Sequence, residues 1–330
     1  MRIKLTFVNV GYGEAILLEG YENEKDKADF VAVIDGGSRD AMEYEGSDSG
    51  RIPLIDYMRK QQMEQVNLLI VTHPHEDHIC GLIPVVEEYH PMCIYQILPI
   101  TYQKEIMRKL NPYVCGNKYR QNFIKALNDS ILLTELIESY GGKNLLTSDE
   151  LQNAFLEDIR CKVLAPSCEC FIQLTEAVKN LYRENRKSDF LQQLEVLDAA
   201  MNNYSLVLQF SCNGRQILLP GDMNAAGLLM IKDKLKKVDI FKVGHHGQKD
   251  SISEEVLDIL SPDIIVCCAS SDNRFDSACP KFLSSTRNRG INLFFSDCPE
   301  GEGISLEPHQ AVSFWIEENS KIIAQYVQIF

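Results

Sequence analysis

The stretch VTHPHEDHICG, residues 71–81, places three histidines, a glutamate and an aspartate within the six positions 73–78. The whole chain of 330 residues has only seven histidines. Imidazole nitrogens and carboxylate oxygens are ligands for zinc, manganese and iron. The apolar run that comes before them, VNLLIV at 66–71, predicts a buried strand. This strand would present the cluster at its C-terminal end, so the stretch predicts a metal site.

The spacing within the cluster predicts two ions rather than one. His73 and His75 lie two positions apart, so a loop at a strand end can direct both toward one ion. Asp77 and His78 are adjacent and would point apart unless they serve a second ion nearby. Two ions about 3.5–4 Å apart can share a hydroxide and stabilise both the attacking and the leaving oxygen. We therefore predict a binuclear site.

Two later strand ends offer the remaining ligands. Asp222 ends the apolar stretch LLPGD and could bridge both ions, and His245 and His246 end the stretch KVGHHG. The alternative is that the cluster consists of solvated loop histidines and helix-capping acids. Two matching strand ends downstream favour the metal site.

Composition excludes several classes of protein. A hydrophobic fraction of 45% with 24% charged residues is typical of a folded chain. The net charge of −14 argues against non-specific coating of DNA, although it leaves room for a local basic groove. No apolar run is long enough to cross a bilayer, and the N-terminal stretch lacks the features of a signal peptide. Eleven cysteines without a pairing pattern suit a reducing compartment. We predict a cytoplasmic protein without membrane contact.

The hydrophobic pattern predicts strands on either side of two helical segments. Residues 3–10, 11–20 and 30–38 read as a β-meander, and 204–222 read as a hairpin that turns at Asn213-Gly214. Further strands are predicted after residue 238, and they include GISLE at 303–307. We predict one domain over 1–330, with helical insertions at about 101–157 and 171–200.

The cluster resembles the signature of the metallo-β-lactamase superfamily, His-X-His-X-Asp-His. The chain is most similar to the branch related to the lactamase-like domain of ComEC-type DNA-uptake proteins. The stretches that carry the resemblance occur in the expected order: FVNVGYGEAILLE, VIDGGS, THPHEDHICG, NNYSLVLQF, LLPGD and KVGHHG. The resemblance implies an α+β fold, the αββα sandwich, in which two mixed sheets pack face to face with helices outside.

The resemblance also implies roles for single residues. His73 and His75 would hold the first ion, and Asp77 and His78 would serve the second. Asp222 would bridge the two ions. One of His245 and His246 would complete the second site, and the sequence leaves open which one does so.

A second group of roles concerns residues that assist the ions. Asp35 matches the first acidic motif of the superfamily, which orients the metal loop without contacting the ion. The alternative for Asp35 is a turn aspartate before Gly-Gly. Asp77 would act as proton acceptor in addition to its role as a ligand.

The chain departs from the superfamily at one ligand. A further histidine is expected before the bridging aspartate, but the sequence there reads NNYS, residues 202–205. Asn202, Asn203 or Ser205 could approach the ion or a water molecule, and we include Asn203 among the candidate catalytic residues. Capping of a strand is the alternative role for these residues. We expect the first site to be open and weak, and to suit manganese better than zinc.

These observations favour a metal-dependent hydrolase with two divalent ions, zinc or manganese. The first hypothesis is a phosphodiesterase or nuclease that uses a metal-bound hydroxide on a short or single-stranded nucleic acid. The second is a hydrolase of a small ester, lactone, thioester or cyclic nucleotide. The third is a catalytically weakened protein whose helical insertions bind a protein partner.

Overall fold

Two β-sheets form the centre of the structure. The computed structural model describes residues 1–22, 27–45, 48–98, 104–184 and 186–328. The strands of the first sheet are β1 (Arg2–Val8), β2 (Ala15–Tyr21), β3 (Phe30–Gly36), β4 (Leu68–Val71), β5 (Cys93–Gln96), β6 (Lys143–Asn144), β13 (His309–Ile316) and β14 (Ile322–Gln328). Those of the second are β7 (Arg160–Ala165), β8 (Val207–Cys212), β9 (Arg215–Leu219), β10 (Ile240–Lys242), β11 (Ile264–Cys267) and β12 (Asn292–Phe295).

Both sheets are mixed. The first has the strand order β14-β13-β1-β2-β3-β4-β5-β6, and the second has the order β12-β11-β10-β9-β8-β7. Strands β3, β4 and β5 pair in parallel, as do β9, β10 and β11. The carboxyl ends of parallel strands meet at the same edge of a sheet, which is where α/β proteins place their functional loops. The histidine-rich stretch follows β4 at such an edge.

Ten helices of the described residues pack against the two sheets. They are α1 (Leu54–Lys60), α2 (Glu76–Ile79), α3 (Leu82–Tyr89), α4 (Lys118–Ser139), α5 (Ser148–Asn153), α6 (Cys168–Arg183), α7 (Lys187–Met201), α8 (Ala225–Met230), α9 (Glu254–Leu260) and α10 (Pro280–Asn288). The hydrophobic cores of the described residues define the layers. The central core joins Leu5 of the first sheet to Phe210 of the second. Two outer cores pack α1 and α3 on the first sheet, and α8, α9 and α10 on the second.

The predicted α+β class and the αββα sandwich are therefore confirmed. Alternation along single strands explains the layers, because successive strand residues face opposite sides of a sheet. In β3, Ala32 and Ile34 face the central core, while Val31 and Val33 face an outer core. The predicted hairpin turn also occurs. Its two residues, at positions 213 and 214, have φ of 48° and 74° between β8 and β9, as a two-residue turn of this kind requires.

The two segments predicted as helical insertions, at about 101–157 and 171–200, contain helices in the structure. Helices α4 and α5 lie between β5 and β7, and α6 and α7 lie between β7 and β8. Residues 101–103, at the start of the first predicted insertion, lie outside the described residues. Apolar side chains of α4, α6 and α7 join the central core, among them Phe123, Leu181 and Leu197. The organisation of 1–330 as one domain stays a prediction.

The strand prediction was wrong in several details. The stretch at 303–307 forms no strand, because it is a largely exposed connection that leads into β13. Strands β5 and β6 were not predicted, and β6 lies within the first segment predicted as helical. The final strand, β14, was not predicted either. It is an edge strand, and its half-exposed residues weaken the contrast between its two faces. No helix within the described part of the chain is long and apolar enough to cross a membrane, and the cytoplasmic location stays a prediction.

Candidate metal centre

The loop after β4 begins the site. His73 is buried just beyond the strand, and His75 is the N-cap residue of α2, whose first turn contains Asp77 and His78. The loop of the β1–β2 hairpin lies directly against it. Gly13 has φ of 147°, and a Cβ at this position would lie 2.5 Å from the backbone oxygen of Asp77. A glycine is needed for so close an approach.

Four of the predicted ligands converge. Candidate ligand atoms of Asp77, His78, Asp222 and His246 all lie within 4.8 Å of one another. His246 Nε2 lies 3.0 Å from Asp222 Oδ2 and 3.3 Å from Asp77 Oδ2. His78 Nε2 lies 3.4 Å from the same Asp222 oxygen. This is the residue set predicted for the second ion, and we call it the tetrad.

The structure distinguishes the two adjacent histidines. His246 is fully buried and faces the tetrad, whereas His245 is partly exposed and its Nδ1 lies 2.8 Å from Asp250 Oδ1. Both have positive φ, 48° for His245 and 50° for His246. Such a conformation costs on the order of 1–3 kcal/mol in a residue other than glycine and often occurs at functional sites. The turn therefore directs the two side chains to different places.

His73 and His75 form a separate pair. His73 Nε2 lies 3.1 Å from His75 Nδ1, so these two nitrogens face each other. Within the described residues, no group of three or more possible ligand residues with ligand atoms inside 4.8 Å includes this pair. These are the two histidines predicted for the first ion, and their role as ligands stays a prediction.

The two imidazoles of the tetrad are held by hydrogen bonds at Nδ1, the ring nitrogen that faces away from the tetrad. His78 Nδ1 lies 2.8 Å from Asp35 Oδ2, and His246 Nδ1 lies 2.8 Å from the backbone oxygen of Cys268. Asp35 also accepts hydrogen bonds from the Thr72 backbone N–H and hydroxyl. Asp35 thus lies behind the loop rather than in the tetrad, and its role in orienting the metal loop stays a prediction.

The same contacts test whether a metal ion fits. The Nε2 atoms of His78 and His246 are buried and make no hydrogen bond of standard geometry, although carboxylate oxygens lie nearby. Because each ring is held through Nδ1, Nε2 is the nitrogen left to act as a ligand. Two such nitrogens beside two carboxylates form a donor set suited to a divalent transition metal. The residues present therefore fit the ion.

The charges of the tetrad depend on one another. Burial alone would raise the pKa of Asp222, but His246 and His78 outweigh it and hold the pKa well below its ordinary value. Burial would likewise lower the pKa of His78, yet the carboxylates of Asp222 and Asp77 raise it well above the ordinary value. By contrast, burial and then the neighbouring His78 and His75 rings lower the pKa of His73. The carboxylates stay ionised, as metal binding requires.

Two buried residues near the site were not predicted. Lys242, at the end of β10, pairs with Glu14, and both side chains are fully buried. Lys242 Nζ also donates to the Gly221 backbone oxygen at 2.9 Å and lies 3.3 Å from Asp222 Oδ1. A lysine within the apolar run IFKV and an acid between two strand patterns were the available signals. A buried charge almost always has a partner.

The NNYS segment has a structural role at two positions. Ser205 Oγ accepts a hydrogen bond from the Asp222 backbone N–H at 3.1 Å. Asn203 Oδ1 accepts one from the Asn224 backbone N–H at 3.2 Å, so this atom supports the turn after Asp222. Asn202 instead lines the cavity above the metal centre. The catalytic role suggested for Asn203 stays a prediction, and the geometry draws attention to Asn202.

A cavity of about 640 Å³ opens over the tetrad. Its acidic lining residues are Asp40, Glu43, Glu76, Asp77, Asp198 and Asp222. Its basic ones are Lys118 and Arg274, and its aromatic ones are Tyr12, Tyr119, Phe123 and Phe275. Helices α4 and α7 contribute to this wall. The segments predicted as insertions therefore border the candidate active site.

Comparisons with known proteins agree with the fold and the motif. Residues 13–92 match the model of the metallo-beta-lactamase superfamily. Over 215 residues, the chain is 27% identical to ComE operon protein 3 of Bacillus subtilis, a match that covers 60% of this chain and 28% of that protein. Over 71 residues, it is 35% identical to recombination protein 2 of Haemophilus influenzae, which covers 22% of this chain and 9% of that protein.

Among solved structures, a diphosphatase from the PhnP family has a TM-score of 0.41 and 10% sequence identity, with 96% of this chain and 98% of that chain covered. The sequence matches and the sandwich together define a metallo-β-lactamase-fold protein. This protein is related to ComE operon protein 3, and it spans less than a third of the length of either curated relative.

Proposed function

We propose that this chain is a metal-dependent phosphodiesterase that acts on a short or single-stranded nucleic acid. The observation that carries the proposal is the tetrad, in which two carboxylates converge with two imidazoles whose buried Nε2 atoms make no hydrogen bond of standard geometry. The superfamily match supports a hydrolase. Divalent ions held here would supply an activated water and neutralise charge on the phosphodiester.

Some residues of the site would orient the metal ligands, and Asp77 would take part in the reaction itself. Asp35 and the Cys268 carbonyl hold His78 and His246 in place, so that their Nε2 atoms remain directed at the centre. Asp77 borders the cavity and its Oδ2 lies 3.3 Å from His246 Nε2, which suits it to receive a proton beside its role as a ligand. Burial would raise the pKa of Asp77, but His78 and His246 outweigh it and lower the pKa, so the carboxylate is ionised as a metal ligand must be.

The charge of the cavity limits the length of the substrate. Arg274 is paired with Glu43 and Asp272, and Lys118 lies 3.6 Å from Asp40. These pairs leave little positive charge for a long phosphate backbone. Bound ions would supply the attraction locally, which favours one phosphodiester group at a chain end or in a short strand.

Exposed aromatic rings at the cavity favour a nucleotide over a simple ester. Tyr119 is 64% exposed and Phe275 is 47% exposed, and their ring centroids lie 5.8 Å apart. Phe275 in turn lies 5.1 Å from Tyr12, whose ring packs on His246. Stacking on aromatic side chains contributes about 1–3 kcal/mol per base in single-strand binding proteins. The row of rings extends from the rim toward the tetrad.

Hydrolysis assays on the metal-stripped and reloaded protein test the proposal. The panel contains a single-stranded DNA oligonucleotide, an RNA oligonucleotide, a cyclic nucleotide and a lactone, each with added Mn²⁺ or Zn²⁺. We expect metal-dependent cleavage of an oligonucleotide, and its loss in His246→Ala. Turnover of the lactone alone would instead support the small-ester hypothesis.

The pair formed by His73 and His75 favours a second candidate function, in which the chain is a catalytically weakened protein that binds a protein partner. Among the described residues, no group of three or more possible His, Cys, Asp or Glu ligands within 4.8 Å of one another includes His73 or His75. The metal content of the purified protein separates the candidates, because a partner-binding protein has no need of two ions. Fewer than one ion per chain after reloading with Mn²⁺ or Zn²⁺ would contradict the phosphodiesterase proposal.

A further inference from the structure

The imidazole of His75 lies between two polar groups from different parts of the chain. Its Nδ1 faces His73 Nε2 at 3.1 Å, and its Nε2 lies 3.1 Å from Asp198 Oδ1. Asp198 belongs to α7, within the helical segment that separates β7 from β8. The contact has hydrogen-bond length, but His75 Nε2 makes no hydrogen bond of standard geometry. Nothing in the histidine motif itself indicates this partner.

The other three histidines of the centre follow the same arrangement. His78 is held through Nδ1 by Asp35, and His246 is held through Nδ1 by a backbone oxygen. His73 Nδ1 lies 3.1 Å from the Thr72 hydroxyl. In each of these three rings Nδ1 is held, and Nε2 is the nitrogen that can bind a metal ion. Asp198 therefore has the same relation to His75 that Asp35 has to His78, but through the other ring nitrogen.

Two further contacts connect the helical segments to the first pair. The ring of Phe123, from α4, lies edge-on to His75 with centroids 5.4 Å apart. Asn202 follows Asp198 by four residues, one helical turn, so both lie on the same face of the α7 C-terminal end. Both line the cavity, and the Asn202 Oδ1 atom is buried without a hydrogen-bond partner. Leu194 and Leu197 of the same helix pack on the central core and hold α7 against it.

We propose that Asp198 is a positioning residue for the first metal site. It accepts the Nε2 proton of His75 and thereby leaves Nδ1 free to face the ion together with His73 Nε2. The inference rests on the proposed metal-dependent function. It makes α7 part of the metal centre, so that docking of the helical segment and metal binding are coupled. Asn202 would provide an uncharged oxygen on the same side.

The expected effect is a loss of affinity at one site only. Removal of a carboxylate that orients a ligating histidine typically weakens metal binding about 10- to 100-fold. The tetrad does not contact Asp198 and should keep its affinity. Asn at position 198 can still accept a hydrogen bond but lacks the charge, so Asp198→Asn should fall between the wild type and Asp198→Ala.

The experiment is a calorimetric titration of the metal-stripped protein with Mn²⁺ and, separately, with Zn²⁺. The variants are Asp198→Ala, Asp198→Asn and Glu195→Gln. Glu195 lies on the same helix, is exposed and pairs with Arg120, so it controls for a change of charge on α7. Nitrogen-15 spectra of the histidines in the Zn²⁺-loaded protein report which ring nitrogen of His75 carries the proton. Circular dichroism confirms folding.

We expect two binding events in the wild type and in Glu195→Gln, with the weaker event lost or weakened about 10- to 100-fold in Asp198→Ala. The wild-type spectrum should show a proton on His75 Nε2. Two unchanged events in Asp198→Ala, or a proton on His75 Nδ1 in the wild type, would overturn the inference. A wild type that binds neither metal would instead overturn the proposed function. If Asp198→Ala does not fold, Asp198→Asn carries the comparison.

Discussion

Lys242 and Glu14 form a fully buried ion pair directly behind Asp222. One ammonium group thereby contacts a carboxylate from the β1–β2 loop and the residue expected to bridge the two ions. The lysine also donates to the Gly221 carbonyl, so it restrains both the backbone and the side chain of the Asp222 turn. The pair connects the β1–β2 loop of the first sheet to the end of β10 in the second.

Replacement of Lys242 should destabilise the protein strongly. Lys242→Met leaves Glu14 buried without its cation, and loss of one partner of a buried pair costs about 3–5 kcal/mol. Urea denaturation of the metal-stripped protein measures this change in the free energy of unfolding. The double variant Glu14→Gln, Lys242→Met should recover part of the loss. An unfolding midpoint unchanged in Lys242→Met would show that the pair contributes little.

The adjacent histidines should differ sharply in metal binding. His246 contributes to the tetrad, whereas His245 contacts Asp250 at the surface. We expect His246→Ala to lower the bound metal by about one ion per chain, because it opens one coordination sphere. His245→Ala is the matched control and should keep the wild-type content. Elemental analysis after dialysis provides the measurement, and equal losses in the two variants would contradict the assignment.

The sequence predicted those parts of the site whose residues are close together in the chain or lie at the ends of predicted strands. The motif at 73–78 and the strand ends at Asp222 and at His245-His246 follow from strand patterns and ligand chemistry, whereas the sequence left open which of the two histidines faces the tetrad. Asp198 was not predicted, because it lies on a helix more than a hundred positions from His75 and meets it only when α7 docks on the core. The pairing of Glu14 with Lys242 depends likewise on the contact between the two sheets.

Metal binding should raise the stability of the folded protein. Asp77 and Asp222 have neighbouring carboxylates in the tetrad, and an ion between them removes their repulsion. A ligand at 100 times its Kd stabilises the native state by about 2.7 kcal/mol per site. We expect a chelator to lower the Tm by several degrees in thermal unfolding, and added Mn²⁺ to restore it. In His246→Ala, the shift should be smaller than in the wild type.

The aromatic row should distinguish substrates that carry bases from those that lack them. Tyr119→Ala and Phe275→Ala each remove a stacking surface at the cavity, and a loss of about 1–3 kcal/mol corresponds to a rise in KM of roughly 5- to 150-fold. The rise should appear with a single-stranded oligonucleotide and be absent with the same oligonucleotide carrying abasic residues. Tyr119→Phe should behave like the wild type, because it keeps the ring.

Tyr113→Ala is the matched surface control, since Tyr113 is 80% exposed and does not line the cavity. Steady-state kinetics with Mn²⁺ at saturating concentration separate KM from kcat. A change in kcat alone would mean that the rings affect the chemical step rather than base binding. Equal effects on the abasic and the normal oligonucleotide would exclude stacking as the role of Tyr119 and Phe275, and would leave the row of rings as part of the cavity wall.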